Sequence, residues 1–253
     1  MLEPARGLGA EAPPALYLTS RLLGEAGLPH LFTTRHFPGV TSPRDPGSPF
    51  DPRAVTLLAE LGIAREPAAF LRQVHGADAI AVERGGLAGR GDILTTGRPA
   101  LPLAIFTADC LAIVLCDADA GVLALAHVGW RGTVHGAAQA AVRAVSALGA
   151  RPGRLRAVIA PSIGPCCYEV DEPVTSELAR AYPGRWEAWV RPAAHAGRVM
   201  LDLWAANEAL LVEAGVDPAR IENPRRCTAC EPALFYSYRK GNRGRLATLA
   251  ALP

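Results

Sequence analysis

The hydrophobic period changes once between residues 101 and 149, and no other feature constrains the fold as tightly. Residues 101–106, 111–115 and 122–126 are short, almost unbroken apolar runs. Runs of that length suit strands buried on both faces. After Gly129-Trp130-Arg131-Gly132 the spacing becomes helical. Val134, Ala137, Ala138, Ala141, Val142, Val145 and Leu148 share one face, and Arg131, His135, Gln139 and Arg143 share the opposite one. The pattern predicts an amphipathic helix of about 16–18 residues closed by Gly149. Further strands are expected over 155–160 and 246–252, and helices over 171–182 and 202–214. Strict βαβ alternation is missing, so the expected class is α/β, with helices covering a sheet of mixed strand direction.

A chain of 253 residues suits one domain of this kind. Residues 1–14, rich in Gly, Ala and Pro, read as a loose arm, and 15–253 as a single domain. Residues 38–52 carry repeated prolines and read as a loop. Charged residues make up 20% of the chain, which argues against global disorder, and the net charge of +2 gives no field that would gather nucleic acid. No apolar stretch reaches the roughly 18 residues of a spanning helix. The start lacks a basic patch followed by a long apolar run, so no signal peptide is expected and the chain reads as cytoplasmic. Its six cysteines are then expected as thiols or metal ligands.

Three polar residues interrupt or end buried elements. His75 follows an apolar strand into Gly76, Cys110 breaks two apolar runs, and His127 ends a third. Strand ends along one sheet edge lie close together, so the three side chains can converge. Two imidazoles and a thiolate suit a zinc ion with its fourth position open to water, and copper can bind the same set. A metal-free reading makes Cys110 a nucleophile with His127 or His75 as its base, as in cysteine amidohydrolases. The plainest alternative is two hydrogen-bonded structural histidines and a core cysteine. Cys227-Thr-Ala-Cys230 needs a second pair to close a zinc site; Cys166 and Cys167 are the only partners, and adjacent cysteines chelate poorly. His135 reads as solvated, while His30, His36 and His195 sit in loop-like stretches without an evident partner. Asp109 can orient a ligand, act as a base or cap a turn.

Gly129–Gly132 separates a strand from a helix start, where free amides attract anions and Arg131 can grip a phosphate. From residue 220 onward seven basic residues face two acidic ones, and the 234–245 segment interleaves aromatics with arginines. That segment is either a single-stranded RNA surface or a core-packed turn whose arginines line a pocket. The second is favoured, because no other basic stripe supports the first.

Gln73-Val-His-Gly76, Ala108-Asp-Cys110, Ala126-His-Val-Gly-Trp-Arg-Gly132, Ile163-Gly-Pro165, Tyr168-Glu-Val170 and Cys227-Thr with Phe235-Tyr-Ser-Tyr-Arg239 occur in this order. Together they resemble the YfiH-like family, also called the laccase-domain or multicopper polyphenol oxidase family and more recently purine nucleoside phosphorylase. The resemblance implies a single α/β/α-layered domain with a mixed sheet and a zinc held by His75, Cys110 and His127. It implies phosphorolysis of adenosine, inosine and S-methyl-5'-thioadenosine, a transferase activity, with adenosine deamination as a second, hydrolase activity. Arg131, with Arg35 or Arg239, is then expected to neutralise phosphate. The expected partners are purine nucleosides and phosphate, with no nucleic acid and no membrane; the sequence is silent on oligomeric state. The older name implies copper-dependent phenol oxidation, which six histidines are too few to support through a multi-copper cluster. The chain departs from the family pattern at 33–41 and 48–51.

Overall fold

The computed structural model describes residues 2–4, 14–41, 48–63 and 66–253. In chain order the elements are β1 (Leu2–Pro4), β2 (Tyr17–Ser20), α1 (Arg21–Gly24), β3 (His30–Thr33), α2 (Pro52–Glu60), β4 (Ala69–Arg72), β5 (Ala79–Ala81), β6 (Gly86–Arg90) and β7 (Ile93–Thr96). The three central strands follow, β8 (Leu103–Thr107), β9 (Leu111–Asp117) and β10 (Val122–Val128), then α3 (Trp130–Val134) and α4 (Ala137–Ala147). The rest comprises β11 (Arg156–Ile159), β12 (Glu169–Val170), α5 (Val174–Ala181), β13 (Val190–Pro192), β14 (Val199–Leu201), α6 (Leu203–Glu213), β15 (Ile221–Glu222) and β16 (Leu246–Ala250). No helix of the described residues is long and apolar enough to cross a membrane.

The mixed α/β class expected from the pattern is present, and its middle layer is double. One sheet has the order β1-β2-β3-β16-β8-β4-β6 and the other β15-β11-β9-β10-β7-β5; β12, β14 and β13 make a small third sheet. Both large sheets are mixed: β4 runs parallel to β6 and β8, and β5 parallel to β7, among otherwise largely antiparallel pairs. Strand alternation sorts the apolar residues into layers. Leu103 and Ile105 of β8 meet Ala112, Val114, Leu123 and Leu125 of β9 and β10 between the sheets. Leu111, Ile113, Ala124 and Ala126 point the other way, onto α4 and α6. Ala104 and Phe106 pack on the outer side of the first sheet with Leu58 of α2. This explains why the runs are apolar at every position: each strand is covered on both faces, and full burial of each Leu, Ile or Val contributes roughly 1.5–3 kcal/mol.

Three expectations are corrected. The single long helix is two, because Gly136 takes φ +70° between α3 and α4. A residue in the left-handed region cannot continue a helix. The helix expected from residue 171 begins at Val174, since Pro173 disfavours helical backbone at Glu172. The loop reading of 38–52 holds only in part. Val40 bridges Phe50, Asp51 caps α2 through the amides of Arg53 and Ala54, and Pro52 occupies the first turn. Residues 42–47 lie outside the described residues. Within the expected arm, 2–4 pair with β2 as β1, and 1 and 5–13 lie outside the described residues.

Candidate active site and metal centre

The two large sheets meet where the polar interruptions fall. His75 follows β4 of the first sheet. Cys110 lies in the connection that carries the chain from β8 in the first sheet to β9 in the second. His127 is the penultimate residue of β10, opposite Ala112. The trio therefore spans two sheets rather than one sheet edge. One ligand atom from each lies within 4.8 Å of the others, and the two imidazole rings stand edge to face with centroids 4.8 Å apart. The adjacent cavity, of about 820 Å³, is lined by all three.

Asp92, a residue the sequence did not single out, organises the trio. It has no solvent exposure. Its carboxylate accepts from the amides of Val74 (3.2 Å), His75 (2.9 Å) and Gly76 (2.7 Å), and from His127 Nδ1 at 2.7 Å. Burial alone would raise its pKa; the His127 N–H and the amides of Gly76 and His75 outweigh that and hold the carboxyl below its ordinary value. With Nδ1 so engaged, His127 turns Nε2 towards Cys110. Burial would push the Cys110 thiol up, but His127 and His75 bring it down to about 6. Burial would push His127 down, yet the Cys110 sulfur and Asp92 raise it to about 9. His75 takes φ +64°, a left-handed conformation uncommon for a residue other than glycine, stabilised by the hydrogen bond its amide donates to Asp92. Gly129 leaves the necessary room: a Cβ there would lie 2.8 Å from Cys110 Sγ.

Around this centre the cavity wall carries Arg72, Arg131, Arg239 and Arg245. Arg131 lies over the Trp130 ring, 4.3 Å from its centroid. Arg239 lies 5.2 Å from the Tyr168 centroid, and its Nη1 donates to the carbonyls of Cys167 and Glu169. Arg245 closes the 234–245 segment whose arginines were expected to line a pocket, whereas Arg72, just before Gln73-Val-His-Gly76, was not singled out. Arg35 does not line the cavity: its guanidinium donates to the Pro232 carbonyl and lies over Tyr236. Asp109, at φ +87°, accepts from Thr228 Oγ1 (2.6 Å), Ser237 Oγ (3.0 Å) and the Arg239 amide (2.7 Å). Its carboxylate is thus occupied as a clamp on the 228–239 segment. In that segment Phe235 is fully buried and Tyr238 is 77% exposed beside the cavity.

The remaining histidines have partners the sequence did not reveal. His30 is buried in β3, accepting from the Ser20 amide and meeting the Leu28 carbonyl, and burial lowers its pKa. His36 bonds the Ala233 carbonyl and His195 the Glu169 carboxylate. His135 is exposed at the end of α3, as expected.

A family model described as "Multi-copper polyphenol oxidoreductase laccase" matches residues 51–253. The chain belongs to this family. Among similar proteins is one from Deinococcus radiodurans named purine nucleoside phosphorylase, 40% identical over 238 residues, covering 89% of this chain and 90% of that one. A protein of unknown prokaryotic origin named adenosine deaminase RL5 is 35% identical over 196 residues, 74% of each. The crystal structure of YlmD from Geobacillus stearothermophilus superposes with a TM-score of 0.80 at 31% identity, covering 96% of this chain and 98% of that one. That of Bacillus licheniformis hypothetical protein YfiH gives 0.81 at 27% identity, covering 97% and 98%. The laccase-like family has relatives named as nucleoside enzymes, and this chain shares its fold.

Two outcomes are expected. Asp92→Ala releases His127 and the 74–76 amides together, and should weaken zinc binding about 10–100-fold in a competition assay with a chromogenic chelator. Between pH values of about 6 and 9 the metal-free protein holds a Cys110 thiolate beside a His127 imidazolium. A metal ion displaces the His127 proton, so zinc uptake within that window should release about one proton from this ring. The release should fade above about 9, and a second proton, from Cys110, should join it below about 6. Calorimetry of the Cys227→Ser/Cys230→Ser variant, which leaves the trio intact, in buffers of different ionisation enthalpy measures this count.

Proposed function

We propose that the chain is a zinc-dependent purine nucleoside phosphorylase, acting on adenosine, inosine and S-methyl-5'-thioadenosine, with adenosine deamination as a second activity. The observation that carries the reading is the juxtaposition of a three-donor metal centre and four arginines on one cavity wall. The donor set of two imidazoles and one thiolate fits zinc, and leaves a position free for chemistry. Asp92 supplies the outer-shell bond to His127 that zinc-binding histidines commonly have. Zinc bound there would supply Lewis acidity.

The chain's own residues supply the rest. Arg131 and Arg239, with Arg72 and Arg245 nearby, offer guanidinium forks to the oxygens of phosphate. Phosphate held there would attack the anomeric carbon of the ribose as the bond to the purine nitrogen breaks, and the arginines would offset the phosphate's charge. Burial pushes the Tyr168 hydroxyl up, which keeps it a neutral donor facing the substrate. The names of the relatives support both activities. Copper-dependent oxidation, which the family description suggests, is not favoured. Two of the six histidines belong to the trio, and three more are bonded elsewhere.

One observation favours a second reading. The thiolate–imidazolium pair of Cys110 and His127 is also the arrangement of a metal-free cysteine nucleophile with its base. Metal occupancy at Cys110 separates the two: zinc that shields this thiol from iodoacetamide removes the nucleophile reading, and rapid labelling that zinc does not slow supports it.

Incubation with adenosine and phosphate should yield adenine and ribose 1-phosphate, and incubation without phosphate should yield inosine. His75→Ala and Cys110→Ala should each lower both rates at least about 100-fold, whereas Arg131→Ala should depress phosphorolysis far more than deamination. Absence of conversion by zinc-loaded protein would reject the reading.

A further inference from the structure

Four cysteines that the proposed chemistry does not use lie together on the far side of the cavity wall. Cys166 Sγ and Cys167 Sγ each stand 3.4 Å from Cys230 Sγ, and Cys227 completes a group whose sulfurs all lie within 4.8 Å of one another. We propose that Cys166, Cys167, Cys227 and Cys230 form a second metal centre, a closed four-thiolate zinc site that fastens the 162–168 turn to the 226–231 turn. It shares no ligand with the His75–Cys110–His127 centre.

The geometry suits one ion. Zinc–sulfur bonds of about 2.3 Å in a tetrahedron set the sulfurs about 3.8 Å apart, and the observed group needs only small adjustments to match. The four are free thiols, and separations of 3.4 Å are far beyond a disulfide bond. Four protein donors leave no open position, which is the pattern of a structural rather than a catalytic zinc.

The backbone is arranged for it. The two turns are aligned by a parallel bridge between Ser162 and Cys227, with the Ser162 amide donating to the Arg226 carbonyl and the Thr228 amide to the Ser162 carbonyl. The amides of Cys230 and Glu231 close the Cys227–Cys230 turn on the Cys227 carbonyl, and those of Cys167 and Tyr168 close the other turn on Gly164. The Gly164 amide donates to Cys227 Sγ at 3.3 Å. Amides of Ala229 and Cys230 also approach that sulfur, and such donors favour a thiolate. Gly164 is held where no Cβ fits, since one would lie 2.5 Å from the Trp204 ring.

The poor chelation expected of adjacent cysteines does not exclude the site. Cys166 and Cys167 need not close a chelate alone, because the facing turn brings Cys227 and Cys230 to both. The site would also brace the cavity. Ile163, Tyr168 and Glu169 flank one cysteine pair, and Thr228, beside the other pair, bonds Asp109 next to Cys110.

The test counts metal in full-length protein loaded with zinc and desalted. Native mass spectrometry should find two ions per chain in the unaltered protein. It should find one in the His75→Ala/Cys110→Ala variant, where all four cysteines remain. Cobalt in that variant should give the intense near-ultraviolet thiolate-to-metal band of a tetrahedral sulfur site. Stripping its metal should lower the melting temperature by roughly 5–10 °C. Cys227→Ser/Cys230→Ser should also retain one ion, at the other centre, if it folds. A metal-free His75→Ala/Cys110→Ala variant, its cysteines found as thiols or as disulfides, would overturn the proposal. One iron per chain in place of zinc would overturn the zinc assignment.

Discussion

A carboxylate with no contact with solvent determines the shape of the candidate centre. Asp92 sits between the end of β4 and the end of β10, which belong to different sheets, and binds both at once. A buried charge of this kind persists only when its lone pairs are met. Here the partners are the amides of residues 74–76 and the His127 ring, so satisfying the charge also sets the position of both histidines. Backbone bonding repeats the link, for the Asp92 carbonyl accepts from the His127 amide at 2.8 Å. His75 keeps a left-handed backbone under this constraint, an arrangement that places local strain within the trio.

The double middle layer gives that constraint its leverage. A connection passing from one sheet to the next must turn sharply at their shared end, and Ala108-Asp109-Cys110 is that turn. Asp109 pins it from below by gripping Thr228, Ser237 and Arg239. Two buried aspartates with opposite attachments thus frame the cavity. Asp92 ties His75 and His127, and Asp109 ties the arginine-bearing segment. The arginines line the cavity beside the trio, of which His127 is buried, Cys110 half-buried and His75 exposed.

What the sequence made legible followed from contrast. Cys110 and His127 were conspicuous because each sits in or beside an unbroken apolar run, and the strands 103–107, 111–117 and 122–128 were conspicuous because both their faces are buried. Asp92 was invisible for the converse reason. It follows Gly91 at the start of a strand, where an aspartate ordinarily reads as a turn residue, and nothing local announces that its partners lie 16 and 35 residues away. The break at Gly136 was legible in principle, as a glycine inside a helical period, but the apolar spacing runs straight through it. The four-cysteine cluster depends on two turns more than 60 residues apart being laid side by side, a fact of tertiary structure that spacing rules do not encode. Arg35 is the opposite case: a basic residue in a suggestive motif whose guanidinium lies outside the cavity, on the Pro232 carbonyl and the Tyr236 ring.

The most direct measurement is an anomalous-difference map at the zinc absorption edge from crystals of the zinc-loaded protein. The account predicts a peak about 2.0–2.3 Å from His127 Nε2, a ring nitrogen of His75 and the Cys110 sulfur, with Asp92 still holding His127 Nδ1. Density that leaves those three atoms without a common ion, or that shows His127 turned away from Asp92, would contradict it.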